Sequence, residues 1–164
     1  MVNTFTVSNE FLLFSKGGKT FVNFLTDEKI ISSMLMVLPF NIVRNFEHVV
    51  SDESEVITVS ISLFGDINRV LTIKGEAKMF SEFGKALYGM ELDGFMLDSF
   101  ASELWNMILG GIVTTAGTQG IDIDITTPSL SAPTTTQSEV YHLDVFNGEK
   151  IGCVSVFISE KDGE

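Results

Sequence analysis

The chain has 164 residues, 45% of them hydrophobic and fourteen of them Phe, which is enough to bury one sizeable core and implies one main domain. Its formal net charge of −12 repels nucleic-acid phosphates and anionic membranes, and no local basic patch offsets it, so neither is expected as a partner. No apolar run reaches the roughly 20 residues that cross a bilayer, the start MVNTFTVSNE lacks the pattern of a secretory signal, and the single Cys153 has no partner for an internal disulfide. A cytoplasmic protein is expected.

Residues 2–19 carry Phe5, Val7, Phe11 and Leu13 at two-residue spacing, a strand pattern, before a turn signal at Gly17-Gly18. From about Thr20, the positions Phe21, Phe24, Leu25, Ile31, Met34, Leu35 and Leu38 recur at steps of three and four, which predicts an amphipathic helix ending near Pro39. Val-, Ile- and Phe-rich stretches at 41–50, 54–64 and 68–74 read as strands, with Gly65-Asp66 as the turn between the last two. Residues 77–89 read as a short helix closed by Gly89, and Asp93 or Gly94 opens a longer one that runs to about Gly117. IDIDIT at 121–126 alternates as a strand should, and residues 140–146 and 151–158 form a hairpin turning at Asn147-Gly148. The order is one helix and three strands, then two helices and three strands, a coarse echo with no residue-level repeat. Short connections between successive strands predict an α+β fold, a mostly antiparallel sheet with long helices packed on it.

The long helix carries the strongest functional signal. Residues about 100° apart around its axis place Ser99, Glu103, Asn106 and Gly110 within roughly 60° of one another, while Leu97, Phe100, Ala101, Leu104, Ile108 and Ile112 fall on the other side. Glu103 and Asn106 are neighbours one turn apart, a charge that can seek a cation beside an amide that can orient a water. Asn is a poor residue inside a helix, and Gly110-Gly111 costs about 1 kcal/mol more per Gly. Small residues there let another surface approach closely, either a packing neighbour within the protein or a partner.

Other candidates are weaker. His48 and His142 have no Cys or second His at ligand spacing, so no metal site is expected. Cys153, in the alternating run IGCVSVF, reads as a small core residue with no His near it in sequence. Asp122 and Asp124 line the open face of a strand, Gly65-Asp66 is a turn, the acidic Asp52, Glu53 and Glu55 form a solvated loop, and Trp105 is a packing residue or a dimer contact.

The run Ser99-Phe-Ala-Ser-Glu103-Leu-Trp-Asn106-Met-Ile-Leu-Gly110-Gly, followed by Ile121-Asp-Ile-Asp-Ile-Thr-Thr-Pro128, resembles the signature of the CheC/CheX/FliY chemotaxis phosphatases. In that family an Asp or Ser precedes the Glu by four, an Asn follows it by three, and a Pro lies further on. VSISLFGDINRVLTI and FSEFGKALYGM also resemble the family's strand–turn–strand and the helix after it. The likeness covers roughly residues 20–160 and implies a CheX-like domain over 20–164, with residues 1–19 as an added strand or arm. Only Glu103, of thirteen Glu, has Asn three residues on. That resembles the single-site CheX type rather than the two-site CheC type, and it implies a homodimer.

The resemblance implies a phosphatase for the aspartyl phosphate of a CheY-like response regulator. Glu103 and Asn106 are then the catalytic residues, with Ser99, Gly110 and Pro128 in supporting or substrate-binding roles. Ser99 orients the Glu103 carboxylate or touches the partner. Asp122 and Asp124 are further candidates for that contact. No cofactor of its own is implied; Mg²⁺ belongs to the partner regulator. The alternative is a non-catalytic module that binds a regulator or acts as a flagellar-switch-like interaction domain.

Overall fold

A computed structural model describes residues 13–16, 19–22, 31–32, 40–44, 55–131 and 139–160. Strands β1 (Leu13–Lys16) and β2 (Lys19–Val22) pair antiparallel with each other, Lys16 opposite Lys19. The remaining elements are β3 (Asn41–Arg44), β4 (Val56–Gly65), β5 (Arg69–Glu76), α1 (Ala77–Tyr88), α2 (Gly94–Thr118), β6 (Ile123–Ile125), β7 (Glu139–Asn147) and β8 (Glu149–Glu160). The helix expected from Thr20 is corrected at its start, since Thr20, Phe21 and Val22 lie in β2. Two β-branched residues around an aromatic one suit a strand, and pairing with β1 satisfies their backbone. Ile31 and Ser32 are helical; the rest of that expected helix, with residues 45–50 of the next expected strand, lies outside the described residues.

Strands β3 to β8 form one sheet in the order β3-β7-β8-β5-β4-β6, every neighbouring pair antiparallel. The fold is therefore α+β. Each half of the chain contributes a hairpin, β4–β5 and β7–β8, and the hairpins meet at the centre through β5 and β8. Each then takes its outer neighbour from the other half: β3 pairs with β7, and β6 with β4. Exchanging β3, β4, β5 for β6, β7, β8 leaves the pattern of pairings unchanged, so the echo in element order is a pseudo-twofold of connectivity.

One sheet face carries Ile57, Val59, Ile61, Leu63, Leu71, Ile73, Tyr141, Leu143, Val145, Val154, Val156 and Ile158, all buried in the core. Side chains alternate across a pleated strand, so Thr58, Ser60, Thr72, Lys74, His142, Cys153 and Ser155 fall on the opposite face. Helix α1 packs on β5 and β8, and α2 on β4 and β6. Gly89, left-handed at φ 70°, closes α1 through its N–H to the Lys85 carbonyl, and Gly148 at φ 77° turns the β7–β8 hairpin. Both are turns that the sequence signals.

The β4–β5 turn is tied to the start of β6. Asp66 N–H donates to the Asp122 carbonyl and Asp122 N–H donates to Asp66 Oδ2, both at 2.8 Å. Gly65 sits at φ 115°, and a Cβ on it would lie 2.4 Å from the Asp122 carbonyl oxygen. Backbone strain and a clash against fixed backbone combine there, so Gly65→Ala is expected to cost at least about 2 kcal/mol in a denaturant melt.

Candidate functional site

Helix α2 is held in one rotational setting by its apolar face. Leu97, Phe100, Ala101, Leu104, Trp105, Ile108, Leu109, Ile112 and Ala116 are all buried, at steps of one, three and four that follow one side of the helix. Each large member contributes about 1.5–3 kcal/mol by leaving water, so turning the helix to present another side is prohibitively unfavourable. Trp105, 1% exposed, meets the Phe80 ring edge-on at 6.3 Å between centroids. Of the two readings for Trp105, packing is therefore the correct one and the dimer contact is excluded by burial.

The opposite side is open. Ser99 and Glu103 are exposed, and Asn106 and Gly110 are half-buried. Within that stripe, no side-chain hydrogen bond or ion pair engages Ser99, Glu103 or Asn106 among the described residues. The threonines further along behave differently. Thr114 and Thr115 hydroxyls donate to the Gly110 and Gly111 carbonyls at 3.0 Å, and Thr118 donates to the Thr115 carbonyl at 2.7 Å. The C-terminal turns satisfy their own polar groups, whereas the carboxylate and the carboxamide are left for water or for another molecule. Ser99 makes no hydrogen bond to Glu103, so orientation of that carboxylate by Ser99 has no geometric support here.

The glycine pair also differs from one of its two readings. A Cβ on Gly110 or Gly111 would meet nothing within 4 Å, so no packing neighbour among the described residues requires small side chains there. Gly110→Ala is expected to stabilise the fold by about 1 kcal/mol, because it removes the helix cost of glycine and introduces no clash; a thermal melt reads this directly. A smooth helix surface in spite of that cost suits a face that another surface approaches.

Pro128 is half-buried in the segment after β6 and is pinned to β4 rather than to the helix. Thr126 N–H donates to the Ser62 carbonyl, and Ser60 and Ser129 exchange two backbone hydrogen bonds at 2.7 and 2.9 Å. Asp122 and Asp124 are exposed on either side of buried Ile123, as the alternation of that strand predicts.

The face is wider than the sequence pattern suggested. Phe95, Met96 and Met107 are 83, 49 and 62% exposed, and hydropathy alone gave no reason to separate them from the core residues of the same helix. The discriminating signal was positional: Met96 and Met107 project within about 40° of Glu103, on the side away from Asn106.

Away from the helix, Cys153 is buried, as its reading as a small core residue predicts, and it lies on the sheet face opposite the one the helices cover. Its N–H donates to Glu76 Oε2 at 3.0 Å. Burial, with Glu76 nearby, raises the thiol from 9.0 to about 11. His142 shares a cavity of about 260 Å³ with Cys153, and its Nδ1 is engaged with Ser155 Oγ at 2.9 Å. A raised pKa favours the neutral thiol in the fold. That stabilisation is complete below pH 9.0 and is lost as pH rises to about 11. Iodoacetamide should accordingly alkylate the folded protein slowly at pH 8, well below the rate for the unfolded chain. Among the described residues no group of three His, Cys, Asp or Glu side chains is placed to hold a metal ion; His48 lies outside them. No helix among them is long and apolar enough to cross a membrane.

The sequence profile of the family described as "Chemotaxis phosphatase CheX" matches residues 57–144, a span that contains α2 whole. No protein of curated function matches by sequence. Among solved structures, the chain is similar to a CheC-like superfamily protein from Shewanella sp. PV-4, at 15% identity over 81% of this chain and 96% of that one, TM-score 0.59. It is similar to the chemotaxis protein CheX of Vibrio vulnificus, at 14% identity over 80% and 93%, TM-score 0.59. A third likeness is to the CheX–CheY–BeF3–Mg²⁺ complex of Borrelia burgdorferi, at 20% identity over 82% and 92%, TM-score 0.55.

Proposed function

Because the chain belongs to the chemotaxis phosphatase CheX family, we propose that it accelerates hydrolysis of the aspartyl phosphate of a CheY-like response regulator, with the exposed stripe of α2 as the reacting surface. The observation that carries this reading is the pairing of Glu103 and Asn106 one turn apart on a helix fixed by its buried face, neither side chain engaged within the described residues. The solved likeness in which a CheX is bound to CheY with beryllofluoride and Mg²⁺ supports a regulator as the partner.

Hydrolysis of an aspartyl phosphate needs a water in line with the phosphorus. Its oxygen forms the new P–O bond, the bond to the aspartyl oxygen breaks, and the products are inorganic phosphate and a free carboxylate. The Asn106 carboxamide oxygen accepts a hydrogen bond from that water and turns its lone pair toward the phosphorus. The Glu103 carboxylate pairs with a lysine of the regulator and holds the helix in register. Mg²⁺ carried by the regulator neutralises charge on the phosphoryl oxygens. This chain needs no cofactor of its own and no covalent nucleophile. Ser99 contacts the partner, Gly110 lets the partner's backbone come close, and Pro128 shapes the neighbouring edge of the sheet. The working form is a homodimer and the site of action the cytoplasm.

Positioning can contribute up to roughly 7–11 kcal/mol, so a hundredfold acceleration, about 2.7 kcal/mol, is a modest demand. The experiment is phosphate release from a panel of phosphorylated CheY-like regulators with and without the chain. Faster release for at least one regulator is the expected result. Binding without acceleration across the panel would favour the non-catalytic module instead.

A further inference from the structure

The stripe that faces the regulator is only half of the exposed face of α2. Of the methionines in the described residues, Met79 is buried, while Met90, Met96 and Met107 are about half-exposed or more, at 50, 49 and 62%. Met96 and Met107 lie seven residues before and four residues after Glu103, about 10 Å and 6 Å along the axis. They border the carboxylate on the side that Asn106 does not occupy. A helix that buries nine other apolar residues leaves these two unbranched thioether side chains in water beside its one stripe of unengaged polar groups.

We infer that Met96 and Met107 are apolar anchors that seat on the rim of the regulator's phosphorylation pocket and set affinity for it, a step that rests on the proposed function. The occupant follows from continuity. A pocket that admits the Glu103 and Asn106 side chains must bring its rim against the residues one turn away on the same face, which are Ser99, Met107 and Gly110, and against Met96 beyond Ser99. Gly110 offers no side chain there, so Met107 is the first apolar group the rim meets. Long, flexible, polarizable side chains adapt to an irregular rim, and a ring of apolar contacts excludes water from a central charged pair, which strengthens it. The anchors touch neither the phosphoryl group nor the attacking water, so they act on binding and not on the chemical step.

The test uses the whole chain and a CheY-like regulator loaded with Mg²⁺ and beryllofluoride, a phosphoryl mimic that makes binding measurable without turnover. Met107→Ala and Met96→Ala are each expected to weaken binding about tenfold and to raise KM for the phosphorylated regulator to match, with kcat unchanged within about twofold. Met107→Leu, of similar volume, should restore most of the affinity. Val140→Ala, on a comparably exposed residue of β7 (37%), should change nothing. Affinity and KM unaltered in both methionine variants, with Glu103→Ala weakening binding, would overturn the anchors and leave the proposed function standing. Loss of kcat without loss of affinity would overturn them as well. Failure of the wild type to bind any loaded regulator would remove the proposed function, and the anchors with it.

Discussion

Asn106→Ala is expected to abolish the acceleration, a loss of about a hundredfold in the rate of phosphate release, while the variant still binds the regulator. In the proposed function the amide's task is confined to one water. Removing it leaves a half-buried position on a helix whose apolar face is untouched, and Ala is the better helix former. The fold should therefore gain slightly in stability as activity falls, which separates this loss from unfolding. Effects on kcat and kcat/KM should be nearly equal, because the interaction is made only as the water attacks. Asn106→Asp offers a sharper comparison. It keeps a hydrogen-bond acceptor but brings a negative charge toward a phosphoryl group, so it should be no better than alanine.

Glu103→Lys should fail earlier, at binding. The wild-type carboxylate is exposed in the free chain, and the proposed function buries it against a cation only in the complex. Truncating one partner of a buried, hydrogen-bonded charge pair costs about 2–5 kcal/mol, so Glu103→Ala is expected to raise Kd by at least about thirtyfold. Charge reversal adds repulsion from the regulator's lysine and should bring binding below detection in calorimetry. No residue of this chain makes an ion pair with Glu103 among the described residues, so neither change should lower the melting temperature appreciably. Full affinity in Glu103→Lys would exclude the carboxylate from the interface.

The contrast between these variants follows from what was legible in the residues themselves. Helix α2 was readable nearly to its ends, because nine buried positions at helical steps leave a period that neither strand nor loop mimics. The turns at Gly89 and Gly148 were readable because both adopt φ values that other residues avoid. Three features were not. Thr20–Val22 joined β2 because pairing with β1 outweighed an apolar spacing that also suits a helix. The exchange of β3 and β6 between the two halves is a matter of long-range register, on which local patterns are silent. Cys153 alternates with valines in β8, and alternation separates the two faces without saying which one the helices cover.

The site divides in the same way. Spacing alone made Glu103 and Asn106 neighbours on an outward face, and likeness to a family, not physics, singled them out from ordinary surface residues. Met96 and Met107 escaped notice because a hydropathy pattern scores an exposed methionine as it scores a buried one. The cost of Gly110 is visible in the sequence, which leaves a packing neighbour and a partner equally open, and the empty space around its would-be Cβ favours the second.

The side-chain amide resonance of Asn106, assigned in ¹⁵N-labelled protein by its disappearance in Asn106→Ala, reports on that one group in solution. On titration with a CheY-like regulator loaded with Mg²⁺ and beryllofluoride, it should shift or broaden far more than with the unloaded regulator, since the proposed function places the amide in the loaded pocket. A saturated complex in which this resonance stays where it was in the free protein would contradict the assignment of Asn106 to the partner's phosphoryl site.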